Sequence, residues 1–255
     1  MKCTLWFLLL VLSFCGPSFA EAEINDYQKA VKFFQEERYN EAIDVLQRIL
    51  KNDPNQAPVY NLLGLIYLKQ GESIQSAIGS FEQAIWTDPN YAEAYFNLAS
   101  TYAGPANRPE LAAENFKKTL EADPSYTKAH FGLGWFTLTE KQDAVAASEH
   151  FKKAIESFPD FAEAYYGLGL SYVQMGKAPM ALETVSQLRN MGREDLASYL
   201  EVAIRGETLE EKFDNETENM PGEVDQGLSK EPNFSQGAGQ PSPNEDFSLL
   251  GSDRK

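Results

Sequence analysis

The sequence predicts an all-α fold, an α-solenoid of five helical pairs closed by a terminal capping helix. Three observations predict it. Close variants of one phrase recur: "NDPNQAPVYNLLG" from Asn52, "TDPNYAEAYFNLA" from Thr87, "ADPSYTKAHFGLG" from Ala122 and "SFPDFAEAYYGLG" from Ser157. Their prolines, Pro54, Pro89, Pro124 and Pro159, stand 35 residues apart each time, and a fixed period of this length marks a stacked repeat. Within each period the apolar residues fall at helical spacing twice, so each period holds a pair of helices.

The first helix of each pair carries one packing stripe. It is Tyr60, Leu63, Gly64 and Tyr67 in the second unit, then Tyr95, Leu98, Ala99 and Tyr102, then His130, Leu133, Gly134 and Thr137, then Tyr165, Leu168, Gly169 and Tyr172. The Gly or Ala beside each leucine lets a neighbouring helix come close and insert a large side chain. The second helices carry Ala77, Phe81 and Ala84, then Ala112 and Phe116, then Ala147, Phe151 and Ala154, then Ala181, Val185 and Leu188. Steps of four and three residues keep each set on one helical face. Proline then ends the second helix, because it lacks an amide proton and disfavours helical geometry in the residue before it.

In chain order the units span about 23–56, 57–91, 92–126, 127–161 and 162–195, and "EDLASYLEVAIRG" supplies a cap helix over about 196–206. The first unit is degenerate, with Ala30, Phe33, Ala42, Leu46 and Pro54 at the matching places, and the fifth ends on Gly192 and Arg193 where the others have proline. Nine residues separate Tyr67 from Ala77, Tyr102 from Ala112 and Thr137 from Ala147, against eight in the outer units, so the three middle turns are expected to hold one extra residue. Pro58 and Pro179 fall where a first helical turn tolerates proline.

"YNLLGLIY", "AIGSF" and Pro89 match the aromatic-x2-Leu-Gly-x2-Tyr, Ala-x3-Phe, Pro pattern, so the chain resembles the tetratricopeptide repeat family from Glu23 to about Asp195. The resemblance implies a right-handed superhelix whose first helices face a concave groove that holds a protein segment. The stripe that would face it is Tyr27, Val31 and Phe34; Asn61, Leu65 and Leu68; Phe96, Ser100 and Ala103; Phe131, Trp135 and Leu138; Tyr166, Leu170 and Val173. Some members clamp a peptide carboxylate with a Lys and an Asn four residues later; the corresponding pairs here, such as Asn61 with Leu65 and Phe131 with Trp135, lack that clamp. The expected ligand is therefore an apolar stretch or amphipathic helix, with Tyr27, Asn61, Leu65, Phe96, Phe131, Trp135, Tyr166 and Leu170 as contact residues and Phe131 and Trp135 as principal anchors. The opposing expectation is that these residues pack on one another.

The chain of 255 residues opens on Lys2, the apolar run "LWFLLLVLSF" and the small residues Ser18 and Ala20, the pattern of a secretory leader cleaved after Ala20. The run is too short to span a bilayer comfortably. Both cysteines, Cys3 and Cys15, lie in the leader, so a chain starting at Glu21 has no disulfide and no thiol chemistry. Acylation at Cys15, which would make an outer-membrane assembly lipoprotein, is opposed by the bulky Phe14 before it. A periplasmic, envelope or secreted location is expected.

From Glu207 to Lys255 the period stops and twelve acidic residues face four basic ones, the composition of a disordered acidic tail. With a net charge of −16 the chain should repel nucleic acid and anionic lipid. His130 and His150 have no metal spacing, "GLGWFT" and "GLGLSY" lack the third glycine of a phosphate loop, and the carboxylate pairs Glu36 with Glu37 and Glu210 with Glu211 read as solvated. No catalytic residue, metal or cofactor is implied. "NET" at Asn215 and "NFS" at Asn233 match glycosylation acceptors. The sequence therefore points to a non-catalytic interaction scaffold, with a carbohydrate-binding accessory subunit, stacking sugars on Trp135, as the competing class.

Overall fold

A computed structural model describes residues 19–71 and 73–206. The apolar leader run, Cys15, the acidic tail and the acceptors Asn215 and Asn233 lie outside the described residues. Among the described residues there are eleven helices and no strand.

The first compact unit runs to Ala106 and takes in Glu110–Pro124. It holds α1 (Phe19–Gln35), α2 (Tyr39–Asn52), α3 (Ala57–Gln70), α4 (Ile74–Thr87), α5 (Ala92–Ala103) and α6 (Pro109–Ala122). The second unit takes Asn107–Pro109 and begins again at Ser125, with α7 (Thr127–Thr139), α8 (Ala144–Ser157), α9 (Ala162–Gln174), α10 (Ala178–Asn190) and α11 (Glu194–Arg205). The five pairs and the terminal helix expected from the sequence are therefore present. Among the described residues no helix is long and apolar enough to cross a membrane.

The proline phrase ends helices as its chemistry requires. Asp53, Asp88 and Phe158, each directly before a proline, leave the helical region with φ near −137°, −135° and −142°. Asp53 and Asp88 then accept from the amides of Asn55 and Asn90 through Oδ1, at 2.9 and 3.0 Å, which closes the turn into the next pair. Pro58 and Pro179 sit in the first turns of α3 and α10.

Each turn within a pair uses one left-handed residue: Glu37, Gly71, Asn107, Gln142 and Gly176. One expectation is corrected here. In the second pair the extra residue lengthens α3 to Gln70 instead of the turn, because Gly71, at φ 69°, caps the longer helix. Only the third and fourth pairs have longer turns, 104–108 and 140–143.

The cores are built by the predicted stripes. In the first unit Ala30, Ala42, Leu46, Leu63 and Ile66 form one buried cluster, and Phe81 is buried against Gly64. In the second unit Phe151 of α8 lies between Gly134 of α7 and Gly167 of α9, with an added Cβ meeting its ring at 2.7 Å from Gly134 and closer still from Gly167. Val185, Leu188, Leu196 and Leu200 join α10 to the terminal helix. Burying one such large side chain stabilises by about 1.5–3 kcal/mol.

Candidate partner-binding faces

In the first unit α1 meets α3, and α3 meets α5, through polar atoms. The Tyr27 hydroxyl donates to the Pro58 carbonyl at 3.5 Å, joining α1 to α3. Asn61 on α3 is only 3% exposed. Its Nδ2 donates to Oε1 of Glu93 at 3.3 Å, and its Oδ1 accepts from Nδ2 of Asn97 at 2.8 Å, both on α5. The Tyr91 hydroxyl donates to the other Glu93 oxygen at 3.3 Å. Burial, and secondarily the charge of Glu93, pushes the Tyr27 phenol up to about 12. Leu65 and Leu68, further along α3, are half-buried. Phe96 is buried, with its ring 5.9 Å from that of Phe116 on α6.

The second unit carries an aromatic cluster. Phe131 is 6% exposed, and its ring lies 5.9 Å from Phe151, 4.7 Å from Phe161 and 6.1 Å from Trp135. Trp135 is half-buried and edge-on to Phe151 at 5.7 Å. Tyr166 is buried, and that burial, then the nearby Tyr199, raises its phenol pKa. Leu170 and Val173 on α9 are half-buried.

Four of the eight expected contact residues, Asn61, Phe96, Phe131 and Tyr166, are thus buried, while Tyr27, Leu65, Trp135 and Leu170 keep part of their surface. Phe131 in particular is a core residue, in one cluster with Leu138, Ala147 and Phe151. Of the two principal anchors expected from the sequence, Phe131 is therefore packed inside the fold, whereas Trp135 keeps part of its surface. A period-based reading could place Phe131 on a second stripe, but it could not foresee that Phe161 would close over it.

Other residues were not singled out by pattern. Glu93 emerges only when α3 brings Asn61 to it. Gly167 lies outside the packing stripe, yet it is the second wall for Phe151. Trp86, near the end of α4, is 73% exposed and lies off its helix's buried face. Arg193, standing where the other repeats have proline, donates Nη1 to Glu163 and Nε to Asp195, and so ties the start of α11 to α9. Arg189 bonds Glu194 and Glu201 of α11. His130 and His150 face each other, Nδ1 to Nδ1, at 3.5 Å across α7 and α8. Among the described residues no three ligating side chains gather into a metal site.

Tetratricopeptide-repeat models match residues 32–71, 137–176 and 92–126. No curated protein matches it in sequence. Its fold is similar to that of MamA, at 24% identity and TM-score 0.57 over 65% of this chain and 95% of MamA. It is similar also to PilW, described as a widely conserved type IV pilus biogenesis factor, at 21% identity and TM-score 0.56 over 73% of this chain and 93% of PilW. YrrB, described as a TPR protein with an unusual peptide-binding site, aligns at 20% identity and TM-score 0.58 over 72% of this chain and 98% of its own. At these identities the likeness concerns the fold.

Proposed function

We propose that the chain is an exported, non-catalytic scaffold that holds an apolar or amphipathic protein segment against the inner sides of its first helices. The observation that carries this reading is that these helices are apolar on two sides. One side is consumed by packing on the second helices; the other leaves Leu65 and Leu68 of the first unit, and Trp135, Leu170 and Val173 of the second, half-exposed. Helices with two apolar sides need something to cover the second. The peptide-binding site of YrrB, a protein of similar fold, supports the same class of ligand. Export rests on the leader pattern and the confinement of cysteine to it.

The test is crosslinking and affinity capture from the native envelope with the chain beginning at Glu21, in parallel with a Leu65→Asp, Leu170→Asp variant. Captured protein lost from a variant that keeps its melting curve supports the reading; equal capture by both removes these faces from the function. Intact mass of the envelope-purified chain tests export, since it distinguishes cleavage after Ala20 from an acyl group on Cys15 and from an uncut leader.

A further inference from the structure

Glu93 and Glu163 occupy the same place in their repeats, the second residue of α5 and of α9, 70 residues apart. An acidic residue there complements the helix dipole in both, but the two carboxylates are treated differently. Glu163 receives the guanidinium of Arg193, which the fifth repeat substitutes for its closing proline. The repeat that would do the same for Glu93 ends on Pro124, which has no cation to offer. Among the described residues no Lys or Arg forms an ion pair with Glu93. It is instead held by neutral donors: Asn61 on one oxygen and Tyr91 on the other.

Those donors fix the carboxylate without neutralising it. Asn61 is itself oriented by Asn97, so the Glu93 oxygens are aimed by a short chain of side-chain amides. A carboxylate has about four lone-pair positions, and two neutral donors leave room for one more guanidinium N–H, the single contact that Arg193 makes on Glu163 through Nη1. The charge of Glu93 also reaches the Tyr27 phenol on α1. The carboxylate therefore lies within hydrogen-bond reach of Asn61 on α3, and the half-exposed Leu65 stands four residues beyond Asn61 on the same helix.

We infer that Glu93 is the seat for an arginine side chain of the bound protein segment, in the geometry that Arg193 adopts on Glu163 within this same chain. Asn61, Asn97 and Tyr91 are positioning residues that hold the carboxylate. The inference deepens the scaffold reading and rests on it: the apolar residues hold the segment, and Glu93 chooses the register by accepting one cation.

The probe is a set of twelve-residue amphipathic peptides with one Leu, Ala and Ser frame and a single guest position scanned along it, carrying arginine, the isosteric but uncharged citrulline, or glutamate. Binding to the chain from Glu21 and to Glu93→Gln is measured by fluorescence anisotropy at low and at physiological salt. Gln keeps an acceptor for Asn61, and equal melting temperatures check that the fold is retained. At one guest position arginine is expected to bind about tenfold tighter than citrulline, with glutamate weakest, and Glu93→Gln is expected to abolish the preference. Asn97→Ala should reduce the preference without reversing it. Equal binding of the arginine and citrulline peptides, or an arginine preference that survives Glu93→Gln, overturns the assignment. In that event binding of the frame irrespective of guest leaves the scaffold reading standing, whereas failure of every peptide to bind removes both.

Discussion

Phe151 shows how much one residue's setting can ask of its neighbours. It is fully buried because Gly134 and Gly167 present no side chain to the Cδ1–Cε1–Cζ edge of its ring. Gly167→Ala places a Cβ into that ring, and a residue so enclosed cannot swing aside. A loss of about 1–3 kcal/mol in urea unfolding is expected, against the gain in helix propensity that alanine normally brings. Gly79, in the interior of α4, has open space where a methyl group would stand, so Gly79→Ala should stabilise by about 0.5–1 kcal/mol. Equal effects at the two glycines would refute the packing assignment. Tyr27 supplies a pH test: its folded phenol is raised to about 12, so the stability it lends is fully present below the ordinary value near 10 and is lost as pH rises through about 12. Absorbance titration of tyrosinate should show a late phase that Tyr27→Phe diminishes, the raised Tyr166 phenol supplying the remainder.

At the scale of the helix, the chain caps its elements unevenly. Asp143 accepts from the Ala146 amide at 3.0 Å and Ser73 from the Ser76 amide at 3.2 Å, whereas Lys177 makes no side-chain cap bond at the start of α10. Asp143→Ala should cost about 1 kcal/mol in urea unfolding, while Lys177→Ala should stay within about 0.5 kcal/mol. If the two variants unfold alike, α8 owes its start to tertiary packing and not to its cap. The helices themselves were legible because period and proline agree: the apolar spacing sets which side is buried, and the residue before each proline leaves the helix. The turn lengths were less legible. Whether an added residue joins the turn or extends the helix depends on where a left-handed residue is available, and Gly71 takes that role in the second pair.

For the molecule as a whole, the terminal helix and the acidic tail make opposite predictions. The α11 helix covers Val185 and Leu188 and brings Leu200 onto Gly169, and Arg189 and Arg193 anchor it at both ends of its first turns. A chain ending at Gly192 should lose about 4 kcal/mol or more, from the apolar area of Leu196, Leu200 and Val202 together. A chain ending at Gly206 should melt with its parent, because residues 207–255 have no apolar period in sequence. Circular dichroism melts of the two truncations decide this; a large loss on removing the tail alone would mean that Phe247, Leu249 and Leu250 bind the repeats.

The sequence by itself determined the all-helical class, the five pairs, the side of each helix that packs and the residue at which most of them stop. These follow from short-range rules, the 3.6-residue period and the backbone chemistry of proline and glycine, and need no knowledge of distant neighbours. It also proposed a second apolar stripe on the first helices, but could not say which of its members stay accessible. That depended on contacts between residues tens of positions apart. Phe161, at the start of the next pair, closes over Phe131, and Asn61 turns inward because Glu93 and Asn97 answer it from α5. Only the tertiary structure decided these matters, because burial and charge compensation belong to the set of side chains that meet at a point, and a one-dimensional period does not say which sets will meet.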